Sequence, residues 1–105
     1  MWWILQFLAI CGITAVHTFN RWAGIQGMEF ITKWLINAGA QVCIAPLFIL
    51  SYALAPGFFQ PWFLGTALIA VIGFAVSLIF FGEVVTITKI IGAVLSIIGA
   101  VLLVL

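Results

Sequence analysis

The chain has 105 residues, of which 68% are apolar and only 5% are charged, and its formal net charge is +1. Soluble domains carry about 25% charged residues, and a domain this small buries only about 60–70% of its unfolded surface. A water-soluble globular protein is therefore excluded, and so is a disordered chain. We expect no nucleic-acid partner, because three Lys and Arg residues cannot form a basic patch. The composition predicts an integral membrane protein in contact with the lipid bilayer.

The apolar residues divide into four runs, each close to the roughly 20 residues that a helix needs to cross a bilayer. We predict a single four-helix membrane module over residues 1–105, with helices at about 2–19, 34–54, 61–81 and 87–105. Strands of a membrane barrel alternate apolar and polar residues, whereas these runs are continuously apolar. The predicted fold class is therefore an all-α, polytopic bundle of four transmembrane helices. Pro61 is expected in the first turn of the third helix, where its missing N–H costs nothing.

The positive charges are distributed unevenly between the links that join the spans. Arg21, Lys33 and Lys89 all flank the links after the first and third spans, and the remaining turn and the termini carry no Lys or Arg side chain. Short loops rich in Lys and Arg stay in the cytoplasm. We therefore predict both termini outside the cytoplasm, in what we expect to be a bacterial inner membrane.

The C-terminal part of the chain has a spaced pattern of glycines. Gly82-Glu83 is followed by a short polar link, then by Ile91-Gly92, and then by Gly99 seven residues after Gly92. Together with the length and the four spans, this pattern resembles the drug/metabolite transporter superfamily and, within it, the small multidrug resistance proteins. The resemblance is best over about residues 45–105. It implies a small transporter or flippase subunit that works by alternating access as a dimer.

The chain departs from the small multidrug exporters in two spans. Their third span has an aromatic-Ser-Gly-x-Gly run, where this chain has Gly65-Thr66-Ala67-Leu68-Ile69. The resemblance would place a membrane-embedded Glu in the first span, which binds protons and cationic drugs, but no acidic residue occurs between Trp2 and Phe19. A cation in a low-dielectric cavity needs a compensating anion. We therefore expect an amphipathic or lipid-linked substrate, as other members of the superfamily move. Two alternatives are a small multidrug-type exporter and a non-transporting membrane subunit or assembly factor of a larger complex.

Candidate substrate-binding residues are the polar, ionisable and aromatic residues in or near the spans: His17, Gln6, Asn37, Gln41, Trp62 and Arg21. Each has a second interpretation that the sequence leaves open. His17 is close enough to the end of its span to lie at the membrane interface, and the three amides can bond a neighbouring helix instead of a ligand. Trp62 also fits an aromatic belt, and Arg21 fits a topology signal. Thr14 and Thr66 are expected to donate to their own helix backbones.

Small residues in the fourth span predict where protomers meet. Gly92 and Ser96 form a small-xxx-small pattern that allows close helix approach, and Gly99 extends it. The predicted dimer interface therefore comprises Gly92, Ser96 and Gly99, with packing inside one protomer as the alternative. The partner is a second copy or another small membrane protein.

Other features of the sequence predict local structure rather than chemistry. Pro46 lies in the middle of the second span, where it removes a backbone hydrogen bond. It is predicted to act as a hinge, although membrane helices also tolerate Pro as ordinary packing. Cys11 and Cys43 are expected to be free thiols. The chain has no nucleophile–base pair, metal-ligand spacing or phosphate-binding loop, so we predict no enzymatic activity, metal or cofactor.

Overall fold

Four helices make up most of the chain in the computed structural model, which describes residues 1–105 apart from the side chain of Val104. They are α1 (Trp2–Ile25), α2 (Phe30–Leu54), α3 (Phe59–Ile79) and α4 (Ile87–Val104). By length and composition, α1, α2 and α3 are able to cross a membrane, and α4 is a shorter apolar helix. The predicted all-α fold of four membrane helices is confirmed.

The helices pack side by side in the order α2–α1–α3–α4, so that α2 and α4 form the edges. The molecule measures 42 × 37 × 16 Å along its principal axes. Packed helix axes lie about 8–10 Å apart, so a width of 37 Å accommodates four helices in a row. The protomer is therefore a thin layer of helices with two open faces.

The surface of this layer is largely apolar. Val42, Ile79 and Leu102 are 73%, 76% and 67% exposed, respectively. Most of the buried side chains belong to α1, which lies between α2 and α3: Gln6, Ala9, Ile10, Thr14, Val16 and Ala23. Large apolar side chains exposed over a whole surface are stable in lipid and not in water. The chain is an integral membrane protein.

The link between α1 and α2 is shorter than the sequence predicts, because both helices extend into the polar segment. Helix α1 continues through Asn20 to Ile25, and within this extension Arg21 and Ala23 have good helix propensity. After the helix ends at Ile25, the chain turns at Gly27, whose φ of 73° suits glycine, and the N–H of Met28 bonds the carbonyl oxygen of Ala23 at 3.0 Å. This is a Schellman ending. Since α2 begins at Phe30, only residues 26–29 connect the two helices.

Helices α3 and α4 begin with residues that are typical of helix N-termini. Helix α3 starts at Phe59, so Pro61 lies in its first turn, as predicted, where backbone N–H groups have no intrahelical partner. The chain then turns at Gly82, with φ 57°. The Thr86 hydroxyl caps α4 by accepting a 3.3 Å hydrogen bond from the N–H of Lys89. Thr is a favoured residue at this capping position.

The two ends of the layer differ in charge. Links 26–29 and 80–86 lie at one end, called the charged end here, and turn 55–58 lies with both termini at the other, called the terminal end. All five charged side chains lie in or close to the links of the charged end: Arg21, Glu29, Lys33, Glu83 and Lys89. The side of the membrane that each end faces stays a prediction.

Candidate functional site

One face of α1 carries polar residues along its whole length. Gln6, Ile10, Ile13, His17 and Arg21 follow one another at intervals of three or four residues, which places them on one side of a helix. Each of these side chains lines a cavity that also involves α2, α3 or the link after α3. We call this side of the layer the groove face.

Helix α3 contributes a matching row to the groove face. Trp62, Thr66, Ile69, Gly73 and Ser77 have the same three- and four-residue spacing and line the same cavities as the α1 row. Helices α1 and α3 are parallel, because α2 follows α1 and precedes α3 in the chain and runs in the opposite direction to both. The two rows therefore run along the same side of α1 and α3 from the terminal end to the charged end, and we call the space along them the groove.

The terminal half of the groove contains a cavity of about 270 Å³, called the Gln6 cavity here. Gln6 is only 2% exposed, and its Nε2 donates a 2.8 Å hydrogen bond to the carbonyl oxygen of Pro61. Its Oε1 is buried and has no hydrogen-bond partner. Phe48, Tyr52 and Trp62 supply the aromatic part of the lining. The cavity thus combines apolar walls with one unpaired amide oxygen, which is able to accept a hydrogen bond.

Glycine at position 65 makes room for the Gln6 side chain. A Cβ added to Gly65 would lie 2.9 Å from Gln6 Nε2 and 3.3 Å from Ile10 Cδ1. The first of these distances is too short for a side chain and its neighbour to keep their positions. The α1–α3 contact at this depth therefore depends on a residue without a side chain.

The charged half of the groove contains a second cavity, also of about 270 Å³, called the charged-end cavity here. Its lining includes the cationic Arg21, the anionic Glu83 and the imidazole of His17. Thr14 contributes a hydroxyl that has no hydrogen-bond partner, although the residue is only 7% exposed. Ser77 adds a further hydroxyl on the α3 wall. Groups of both charges and free hydrogen-bonding capacity therefore meet in one small space.

The two threonines differ from each other in their hydrogen bonding. Thr66 Oγ1 donates to the carbonyl oxygen of Trp62 at 3.1 Å, as predicted. The prediction for Thr14 is wrong, because its hydroxyl is unpartnered, whereas Thr18 Oγ1 donates to the backbone oxygen of Thr14 at 2.8 Å. Burial without a partner costs the Thr14 hydroxyl free energy.

The two α2 amides have different surroundings. Gln41 is exposed and lines a cavity of about 220 Å³ with Ile13 and Phe48, next to the Gln6 cavity. Asn37 instead exchanges two side-chain hydrogen bonds with Asn20 of α1, and its Nδ2 also donates to the carbonyl oxygen of Lys33 at 2.8 Å. Its polar groups are thus engaged in joining α2 to α1, which is the helix-bonding interpretation that the sequence left open.

The remaining candidates lie in different places. Arg21 is exposed in the charged-end cavity, and Trp62 stacks on Phe58 with a ring separation of 5.6 Å while lining the Gln6 cavity. Pro46 is exposed within a helix that continues on both sides of it. The free thiols predicted at Cys11 and Cys43 are confirmed.

The predicted interface residues of α4 lie away from α3. A Cβ at Gly92 or Gly99 would meet no atom within 4 Å. Ser96 is exposed and donates a 2.9 Å hydrogen bond to the carbonyl oxygen of Gly92 in its own helix. Ala100, the next residue after Gly99, is 4% exposed. The strip of small residues is therefore open within the protomer.

Several contributors to the site are not among the sequence candidates. The sequence places Asn20 in a link, so its position opposite Asn37 is visible only once α1 is seen to extend to Ile25. Tyr52 and Ser77 line the groove, but nothing in their local sequence distinguishes the groove side of their helices from the lipid side. Periodicity of apolar residues is no guide either, because such residues cover every side of these helices.

Metal binding and similarity to known proteins add no further assignment. Among the described residues, no group of three or more His, Cys, Asp or Glu side chains is placed to hold a metal ion. No family model, no curated protein and no solved structure matches the chain. The groove face is thus the feature from which a function has to be inferred.

Proposed function

We propose that the protein is a small membrane transporter or flippase subunit that moves an amphipathic or lipid-linked substrate by alternating access as a dimer. The observation that carries this proposal is the row of Gln6, His17 and Arg21 along one open groove. Polar and ionisable side chains at membrane depth are costly, and they commonly mark the path of a substrate. The bond from Gln6 to Pro61 serves helix packing, but Gln6 Oε1 has no partner, so packing alone does not account for the polar row.

The shape of the protomer supports the dimer. A layer 16 Å thick, open on both faces, cannot enclose a substrate by itself. A second layer across the groove face would close the groove, and a change in tilt between the two layers would open it at alternate ends. Gly92 and Gly99 on α4, where an added Cβ would meet no atom within 4 Å, offer the close backbone contact that such a pair requires.

The charge distribution supports an amphipathic substrate. The α1 and α3 walls of the two cavities carry an imidazole, one amide and several hydroxyls but no carboxylate, and Glu83 lies in the link at the charged end. A cation at mid-membrane would have no compensating anion there. A molecule with a polar headgroup and an apolar chain fits a groove with one charged end and apolar walls. The resemblance to the drug/metabolite transporter superfamily supports the same class.

The proposal is tested with the protein reconstituted in liposomes that contain a fluorescent headgroup-labelled phospholipid. Dithionite bleaching of the outer leaflet then reports how much lipid the protein moves. We expect movement above that of protein-free liposomes, and we expect His17→Ala to reduce it several-fold at equal protein content. Val42→Ala on the exposed side of α2 is the matched control and should leave the rate unchanged.

Other results of the same assay would reject the proposal. Efflux of ethidium without lipid movement would support the small multidrug-type exporter. Absence of both activities, in protein that is folded and dimeric, would support a non-transporting subunit or assembly factor. The open faces of the layer favour that alternative, because a larger complex would cover them. Substitution of His17 or Gln41 would then leave function intact, whereas substitution of Gly92 would abolish assembly.

A further inference from the structure

We infer that the charged-end cavity binds a zwitterionic headgroup, one that carries both a phosphate and an ammonium group on an apolar chain. This inference deepens the proposed transport function and rests on it for its biological meaning. It is carried by the joint presence of Arg21 and Glu83 in the lining of one cavity of about 270 Å³.

The size of the cavity selects part of an amphiphile rather than a whole molecule. Sites for complete drug-sized ligands have volumes of about 300–1,000 Å³, and this cavity is smaller. The Gln6 cavity lies further along the same two helices, and Ile13 and Ile69 belong to its lining. A headgroup therefore fits the charged end, and an alkyl chain fits the apolar walls beyond it.

The two charges exclude headgroups of a single sign. A phosphate monoester would gain a charge-assisted hydrogen bond from the Arg21 guanidinium, but it would also meet the Glu83 carboxylate in the same space. A quaternary ammonium would be attracted by the Glu83 carboxylate and repelled by the Arg21 guanidinium. A headgroup with both charges is able to satisfy both side chains, and it enters the cavity without adding net charge, which lowers its desolvation cost.

The unpartnered Thr14 hydroxyl is an independent indication of a ligand. It is buried in the lining of this cavity and has no hydrogen-bond partner in the protein. Buried hydroxyls are ordinarily hydrogen-bonded. Rotation of the Thr14 side chain would bring this O–H to a phosphate oxygen, which is a strong acceptor, and Ser77 supplies a second hydroxyl from the opposite wall.

The test compares three probes with the same twelve-carbon chain: dodecylphosphocholine, dodecyl phosphate and dodecyltrimethylammonium. Native mass spectrometry of the full chain, released from dodecyl maltoside micelles, counts the bound probe molecules. We expect the zwitterion to bind about tenfold more tightly than either singly charged probe, which corresponds to one charged hydrogen bond. Free phosphocholine is expected to bind far more weakly than dodecylphosphocholine, because it has no alkyl chain. If the two bound equally well, the ligand would be a soluble molecule, and the assignment of a lipid headgroup would be overturned.

Substitutions of Arg21 and Glu83 test which charge of the headgroup each side chain binds. Arg21→Gln should remove the advantage of the zwitterion over dodecyltrimethylammonium, and Glu83→Gln should raise dodecyl phosphate to the level of the zwitterion. Thr14→Val should weaken both phosphate probes several-fold. Lys33→Gln and Glu29→Gln are the controls, since they remove one positive and one negative charge, respectively, from residues that do not line this cavity. Equal binding of the three probes, or equal effects of Arg21→Gln and Lys33→Gln, would overturn the inference.

Binding and transport are separable in this design. Headgroup preference without lipid movement in liposomes would reject the transport function and retain the site. Lipid movement without headgroup preference would reject the site and retain the function.

Discussion

The side-chain Nε2 of Gln6 donates a 2.8 Å hydrogen bond to the backbone carbonyl oxygen of Pro61, and this bond joins α1 to α3 across 55 positions of sequence. The first turn of α3 is thereby held against α1 at the terminal end. The amide is also oriented by the bond, because the donor nitrogen is committed to Pro61 and the oxygen is left as a free acceptor. One contact thus stabilises helix packing and sets the polarity of the Gln6 cavity.

The substitution Gly65→Ala should destabilise this contact. The new Cβ would lie 2.9 Å from Gln6 Nε2, so either the hydrogen bond or the spacing of α1 and α3 has to change. Overpacking of this kind costs about 1–3 kcal/mol. Equilibrium unfolding in mixed micelles of SDS and a mild detergent measures the cost.

Gly73→Ala is the matched control for Gly65→Ala, because it lies on the same helix and its Cβ would meet nothing within 4 Å. In a Gln6→Ala background, the cost of Gly65→Ala should fall, since the clashing amide is gone. Equal costs for the two glycine substitutions would contradict the close approach.

The helices are more predictable from the sequence than their contacts. Four apolar runs separated by polar or Pro-Gly segments are sufficient to predict four helices, because the bilayer sets a minimum apolar length. The predicted end of α1 at Phe19 is six residues short of Ile25, because polar residues such as Asn20 suggest a link although they are compatible with a helix. The turn at Gly27 is the better signal for the end of the helix.

The partners of polar side chains are not predictable from local spacing. Asn37 and Gln41 are four residues apart, which predicts a shared face, but Asn37 bonds Asn20 while Gln41 faces a separate cavity. The Gln6–Gly65 contact joins residues far apart in sequence, and only the packing of α1 on α3 brings them together. A pattern along one helix contains no information about which neighbour it meets.

The Asn20–Asn37 pair should contribute a measurable coupling between α1 and α2. A double-mutant cycle with Asn20→Ala and Asn37→Ala is expected to give a coupling of about 0.6 kcal/mol and at most about 1.7 kcal/mol, the range for hydrogen bonds in membrane bundles. The bond from Asn37 Nδ2 to the carbonyl oxygen of Lys33 survives Asn20→Ala, so it does not contribute to the coupling. Unfolding in SDS mixtures again provides the free energies.

Gln41→Ala replaces Asn37→Ala in the control cycle. Gln41 lies one turn further along α2 and lines another cavity, so its cycle with Asn20→Ala should be additive. A cycle of Asn20 with Asn37 that is equally additive would show that the paired amides contribute nothing to stability.

Both termini should be accessible from outside the cytoplasm. Arg21, Lys33 and Lys89 all lie at the charged end, and positive loops are retained in the cytoplasm. Tags at each terminus should therefore be cleaved by protease in intact spheroplasts. Replacing the three cationic residues with Gln should give a mixture of orientations. A half-and-half mixture in the unsubstituted protein would contradict the prediction and indicate an antiparallel pair of identical chains.

Bulky substitutions on the open strip of α4 should break the dimer and leave the protomer folded. Gly92→Ile and Gly99→Ile introduce side chains where no atom of the protomer lies within 4 Å of a Cβ. Within the proposed dimer the same side chains would separate two helix backbones that depend on close approach. We expect dimerisation in liposomes to weaken at least tenfold, or by about 1.4 kcal/mol, as measured by single-molecule photobleaching over a series of protein-to-lipid ratios.

Two further substitutions separate an interface effect from a folding effect. Gly39→Ile on α2 also places its side chain in open space, so it should change neither the dimer nor the fold. Ala100→Ile lies on the α3 side of α4, where the native residue is 4% exposed, and it should destabilise the protomer itself. If Gly92→Ile and Gly39→Ile leave the same fraction of dimer, the protomers do not meet through the α4 strip, and contacts across the groove face alone would have to hold the pair together.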